Sequence, residues 1–288
     1  MDFLFPHDQQ RKIQPAFMTQ VYSTIKNKSQ LLIHAPTGTG KTSSVLSPAI
    51  TYLFKEDKKK IIFYLTSRNT QHLIAIETLK KIKSKYNLPL VAVDLISKKN
   101  MCNQPKVSLL RQGEFIEYCK NLRENNECPY YNHLKFKNKP SPESVNTLQK
   151  LKSESPLHTE EINSIAFNSD LCSYELATTL GKEAHVIISD YNYILNPNIR
   201  SSLFKRINKN LSDCIIIFDE AHNIPNRARE LLTIKTNTFL IEAASKETKS
   251  LGFEEISKDI LKIKEILDNF PKKFPFDKQE ILIKKTDF

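Results

Sequence analysis

At 288 residues, 40% hydrophobic and 26% charged, the chain has the composition of a folded globular protein and excludes the disordered and fibrous classes. Its net charge of +11 fits either a polyanionic partner or a lysine-rich solvated surface. No apolar run approaches the roughly 20 residues of a membrane span, the opening residues lack the basic-then-apolar pattern of a leader, and five cysteines without such a leader argue against a disulfide framework, so a cytoplasmic protein with no membrane contact is expected.

In chain order, the first predicted strand is residues 30–35 (QLLIHA). It runs into IHAPTGTGKTSSV, which sets two glycines and a lysine between an apolar run and a helix. Around Thr37 and Thr39, Gly38 and Gly40 let backbone N–H groups turn inward onto phosphate oxygens. Lys41 reaches the β- and γ-phosphates, and Thr42 offers its hydroxyl to Mg²⁺ at the start of the helix. Ala35 stands where the strict pattern has glycine. The ligand implied is ATP with Mg²⁺.

Residues 61–67 (IIFYLTS) and 90–96 (LVAVDLI) read as strands of a parallel sheet buried on both faces. Between them a helix opens at Thr70 and carries Leu73, Ile76, Leu79 and Ile82 at helical spacing, which makes a βαβ unit. Residues 101–172 break the alternation: they are polar, lack a strong strand and hold four of the five cysteines, so they read as an insertion. Cys102, Cys119, Cys128 and Cys172 are separated by 16, 8 and 43 residues, without a zinc knuckle or a compact ferredoxin run. Four thiolates drawn from such a segment make a soft tetrathiolate site, for zinc or for an iron–sulfur cluster. Cys214 lies inside a strand and reads as a core residue.

Residues 185–190 (HVIISD) form the next strand, followed by Tyr191 and Tyr193 with Asn192 and Asn196 nearby. Such tyrosines, with the lysines that LKFKNK and SKKN supply next to the cysteine region, fit base stacking on single-stranded nucleic acid, or plain packing at the end of a strand. Residues 214–220 (CIIIFDE) end in two carboxylates where ligands of open α/β sheets gather. Asp219 is placed to hold the Mg²⁺ shell, and Glu220 to orient and deprotonate a water. After about residue 231 the pattern turns helical and lysine-rich. The expected organisation is a sheet domain in two parts, 1–100 and 173–230, around the insertion 101–172, with a helical segment over 231–288.

The order GKT then DEAH is the signature of superfamily 2 helicases. With FPHDQQRKIQPAFMTQVY, TSRNTQH, ISKKNMC, SDYNYILNPNIR and DEAHNIPNR, the chain over about residues 4 to 240 resembles the archaeal branch of the XPD-type, iron–sulfur DNA helicases. The resemblance implies an α/β fold, a RecA-like P-loop parallel sheet with an iron–sulfur insertion and the start of a helical Arch domain. It assigns Arg11 and Gln14 to adenine, Thr66, Ser67 and Arg68 to the single-stranded backbone, and His222 to coupling between nucleotide and strand. The four insertion cysteines would carry a 4Fe-4S cluster. The activity implied is ATP-dependent movement on single-stranded DNA, with RNA left open, and it would need a second RecA-like domain in cis or in trans.

Overall fold

The computed structural model describes residues 2–36, 38–137 and 139–269. The chain forms two compact units, Met1–Ala228 and Arg229–Phe288.

The strands are β1 (Ile61–Leu65), β2 (Ala92–Leu95), β3 (Lys135–Phe136), β4 (Lys139–Pro140), β5 (Val186–Ser189) and β6 (Cys214–Phe218). Four of them form one parallel sheet in the order β2-β5-β1-β6, while β3 and β4 make a small antiparallel hairpin. Side chains of a strand alternate between faces, so β1 divides its apolar residues between two cores. Ile61, Phe63 and Leu65 meet Leu176, Leu180 and Leu203, and the Phe63 ring stacks on Phe204 at 5.5 Å. On the other face Ile62 and Tyr64 meet Ile50 and Leu53 of α2 (Lys41–Lys55) and Ile76 and Leu79 of α3 (Asn69–Tyr86). A sheet buried on both sides by helices is the layered arrangement that near-continuous apolar strands require.

Two expectations change. Residues 30–35 form no strand: Leu32 is 88% exposed, and a run whose side chains face solvent gains too little from burial to offset the entropy of ordering. On the sheet itself, β6 is only half-buried along its length, unlike β1, β2 and β5. The insertion is also less independent than its polarity suggests. Its helices Pro142–Glu154 and Thr159–Asn168 send Leu151, Ile162 and Ala166 into the Phe63 core, and the β3–β4 hairpin gives it strands that the sequence did not announce. Buried Asp94 anchors this part, accepting a hydrogen bond from the Thr159 N–H at 3.1 Å and facing His72 Nδ1 at 2.5 Å.

In the second unit, helices Thr238–Ser250 and Glu254–Asn269 pack as a hairpin around a turn at Gly252, whose φ of +85° favours glycine. Small residues bring the two helices close, with the Ser245 and Ser257 hydroxyls 2.8 Å apart. Among the described residues no helix is long and apolar enough to cross a membrane.

Candidate active site

Parallel strands deliver their following loops to one edge of the sheet. Here the register Leu65↔Phe218 and Leu65↔Ser189 brings the loops after β1, β6 and β5 together. The Asp219 N–H donates to the Leu65 carbonyl at 2.8 Å, and the Thr66 N–H to the Ser189 carbonyl at 3.0 Å.

The glycine loop arrives at the same edge. Gly38 and Gly40 have φ of +79° and +77°, in the left-handed region that side chains with a Cβ avoid. At Gly40 space is short as well, since a Cβ would lie 2.4 Å from Gln14 Nε2. The Gln14 amide donates to the Thr39 carbonyl at 3.1 Å and its oxygen accepts the Arg11 N–H at 2.8 Å. Gln14 is therefore buried against the loop and holds its shape, whereas Arg11 is exposed. Thr37 lies outside the described residues.

Lys41 and Thr42 open α2 and face the carboxylates that end β6. Lys41 Nζ sits 3.3 Å from Glu220 Oε1. Tyr64 Oη donates to Asp219 Oδ2 at 2.8 Å and lies 3.5 Å from Thr42 Oγ1. Burial holds the Tyr64 phenol well above its usual range, so it remains a donor that fixes the Asp219 carboxylate. Sequence reasoning passed over Tyr64; the pairing Tyr64↔Ile217, two residues short of Asp219, is the signal that a strand register would have supplied. The other Asp219 oxygen accepts the Glu220 N–H at 3.0 Å. Glu220 has φ of +52°, an uncommon backbone for a residue with a Cβ and one that clusters at functional sites. His222 is 71% exposed, with Nδ1 3.3 Å from Glu220 Oε2. A lysine, a hydroxyl and two carboxylates thus converge next to the glycine loop, an arrangement able to take a phosphate–Mg²⁺ ligand.

The residues expected to grip nucleic acid divide. Arg68 is exposed at the start of α3 and Ser67 is half-buried, but Thr66 is fully buried and donates to Gln71. Tyr191 and Tyr193 are a correction to the stacking expectation. They are 0% and 6% exposed, Tyr193 donates to the Ile96 carbonyl at 2.7 Å, and Tyr191 donates to the Asp219 carbonyl. With both faces in the core, neither ring is available to a base; packing at the end of a strand won.

The four insertion cysteines line one cavity together with Lys98, Gln104, Arg123 and Tyr131. Their segments are laced together by the Cys172 N–H donating to the Tyr130 carbonyl at 2.9 Å and by Gln104 Nε2 at 3.5 Å from Cys128 Sγ. Burial pushes the Cys172 thiol up to about 12 and raises Cys102 as well, so both stay protonated until a cation compensates the thiolate. Cys214 lies apart on β6 and is likewise raised to about 12 by burial. Among the described residues, no three histidine, cysteine, aspartate or glutamate side chains stand close enough to chelate a single ion.

Comparison with known proteins bears on the whole of this region. Residues 64–239 match the DEAD_2 family model. The chain is 27% identical over 273 residues to the general transcription and DNA repair factor IIH helicase subunit XPD of Dictyostelium discoideum, covering 91% of this chain and 33% of that protein. It is 28% identical over 277 residues to the XPD/RAD3 subunit of Saccharomyces cerevisiae, covering 88% and 34%. A regulator of telomere elongation helicase 1 homolog of Caenorhabditis briggsae is 24% identical over 267 residues, at 83% and 26% coverage. The chain therefore spans about a third or less of the length of these relatives. A solved XPD helicase structure shares the fold at a TM-score of 0.56 and 20% identity, over 98% of this chain and 45% of its own, and a truncated XPD does so at 0.51 and 20%, over 96% and 72%.

Proposed function

The chain belongs to the DEAD_2 family, and on that premise we propose that it is the nucleotide-binding part of an ATP-dependent DNA helicase. The observation that carries the reading is the convergence of the glycine loop with the ends of β1 and β6, where Lys41 faces Glu220 and Tyr64 bridges Asp219 to Thr42. In this reading Lys41 exchanges Glu220 for the phosphates, which frees the Glu220 carboxylate to orient and deprotonate the attacking water. Thr42 and Asp219 would hold Mg²⁺, and the Tyr64 hydroxyl fixes the Asp219 carboxylate. Because buried Gln14 spends its amide on the loop, it shapes the phosphate cradle, and adenine falls to exposed Arg11 and neighbouring backbone. Ser67, Arg68 and the basic surface contact a single strand, DNA by likeness to the relatives' names, and His222 links the strand side to Glu220.

The insertion supports a second element of the proposal, a 4Fe-4S cluster on Cys102, Cys119, Cys128 and Cys172. Supporting it is the shared cavity that the four thiols line, so that each iron of a cluster would take one thiolate. Lys98 and Arg123 in the wall would balance the negative charge. When bound, the cluster would supply a crosslink between the segments that carry the four thiols. The hairpin over residues 238–269 is read as the start of an Arch.

Since the curated relatives are about three times as long as the matched region, the proposal includes a second RecA-like domain, in cis or in trans, that brings an arginine to the transferring phosphate. Such an arginine is worth about 10³ to 10⁵ in turnover. The experiment is to assay the 288-residue chain alone and with the remaining portion supplied. Alone, weak nucleotide and strand binding with near-background hydrolysis is expected; on addition, strand-stimulated turnover that is abolished by Glu220→Gln. Robust unwinding by the chain alone, lost in a Glu220→Gln control that excludes a contaminating helicase, would overturn the need for a second domain.

A further inference from the structure

Asn103 directly follows Cys102 and spends its side-chain amide on the segment that carries Cys172. Its Nδ2 donates to the Leu171 carbonyl at 2.9 Å, and its Oδ1 accepts the Ser173 hydroxyl at 3.2 Å, so the amide straddles Cys172. Chemistry fixes which way the amide points, because the Leu171 carbonyl can only accept. One side chain therefore ties together two cysteine segments that lie far apart in sequence.

Both of these segments are rooted in the sheet domain. Met101 and Leu171, each directly before its cysteine, are fully buried in the core that contains Phe63. The other two cysteines stand on the insertion's own elements. Cys119 lies on the helix Gln112–Glu124, whose one buried residue is Phe115, outside that core. Cys128 opens the one-turn helix Pro129–Asn132, none of whose residues is buried. This second half meets the first through the Cys172 N–H on the Tyr130 carbonyl at 2.9 Å and through Gln104 Nε2, 3.5 Å from Cys128 Sγ. The thiol site thus divides into a half built on the sheet core and a half carried by short helices.

We propose that Asn103 is a positioning residue of the thiol site, which holds the Cys102 and Cys172 segments together before any metal arrives and so gives the cluster a preformed half on which Cys119 and Cys128 close. The inference rests on the cluster reading above and gives Asn103 no bond to the metal. A side chain that acts on the segments behind the ligands sets how firmly the cluster is held and leaves its electronic state alone. Partners of this outer kind are typically worth 10- to 100-fold in metal affinity.

The test uses the anaerobically purified 288-residue chain, with iron release to excess bathophenanthroline disulfonate followed by absorbance. Asn103→Ala should begin with the visible spectrum of the unsubstituted chain and release its iron roughly 10- to 100-fold faster. Ser173→Ala removes one of the two hydrogen bonds and should fall between; should Asn103→Ala fail to keep iron through purification, Ser173→Ala carries the same measurement. Leu151→Ala truncates a fully buried side chain of the insertion outside this link, so it should lower the thermal melt and leave release close to the unsubstituted rate. Release at the unsubstituted rate in both Asn103→Ala and Ser173→Ala, or equal acceleration in Leu151→Ala, overturns the inference and leaves the cluster reading standing. An unsubstituted chain that purifies without iron overturns the cluster reading and the inference with it.

Discussion

Gly40 carries two constraints at once: a left-handed backbone and a neighbour, Gln14 Nε2, inside the space of a Cβ. Gly40→Ala is therefore expected to lower stability by about 1 to 3 kcal/mol and to loosen the phosphate loop, seen as a lower urea midpoint with weaker nucleotide binding. Gly38→Ala meets no atom and should carry only the backbone part of that cost. The loop and the two carboxylates were legible because their chemistry fixes both residue type and spacing. Roles that depend on burial were not. Tyr191 and Tyr193 carry the same side chain whether it stacks a base or bonds a carbonyl, and only their position between the sheet and its covering helices decides for the core. Gln14 is another such case, because its partner Thr39 is 25 residues away and the contact exists only once α1 (Gln14–Lys26) docks beside the loop.

Among the elements, β1, β2, β5 and β6 follow from apolar runs that no other structure would bury, and the wrong one, residues 30–35, shows the limit of that argument. An apolar run is a strand only if a neighbour accepts its hydrogen bonds, and sequence pattern cannot name the neighbour. The insertion adds a different lesson, since some of its apolar residues, such as Leu151 and Ile162, serve the sheet's core and others, such as Phe115 and Leu122, surround the thiols. Anaerobically purified protein should carry about four irons and matching sulfide per chain. Serine at Cys102, Cys119, Cys128 or Cys172 should lose them, and Cys214→Ser should retain them; zinc in their place would contradict the cluster. The metal-free form has a pH signature. Burial raises the Cys172 thiol from 9.0 to about 12, so folding favours the protonated thiol, and that contribution is whole below 9.0 and lost as pH rises through about 12. Thermal melts of metal-free protein should weaken over that window, less so in Cys172→Ser, while protein loaded with the cluster, its thiolates already formed, should not show the Cys172 component.

For the whole molecule, everything turns on whether the convergence of Lys41, Thr42, Asp219 and Glu220 is a nucleotide site. The ion pair of Lys41 with Glu220 is about 70% screened by protein on each side and bridges two segments 179 residues apart, so its disruption by a phosphate is a long-range event that the fold must accommodate. Lys41 belongs to neither apolar core, which leaves Lys41→Ala free to test binding without unfolding the protein. The most direct measurement is calorimetric titration of the 288-residue chain and of Lys41→Ala with Mg²⁺-ATP, each variant first matched by thermal melt. One saturable, Mg²⁺-dependent site that disappears in Lys41→Ala is the expected result, and indistinguishable titrations of the two proteins would contradict it.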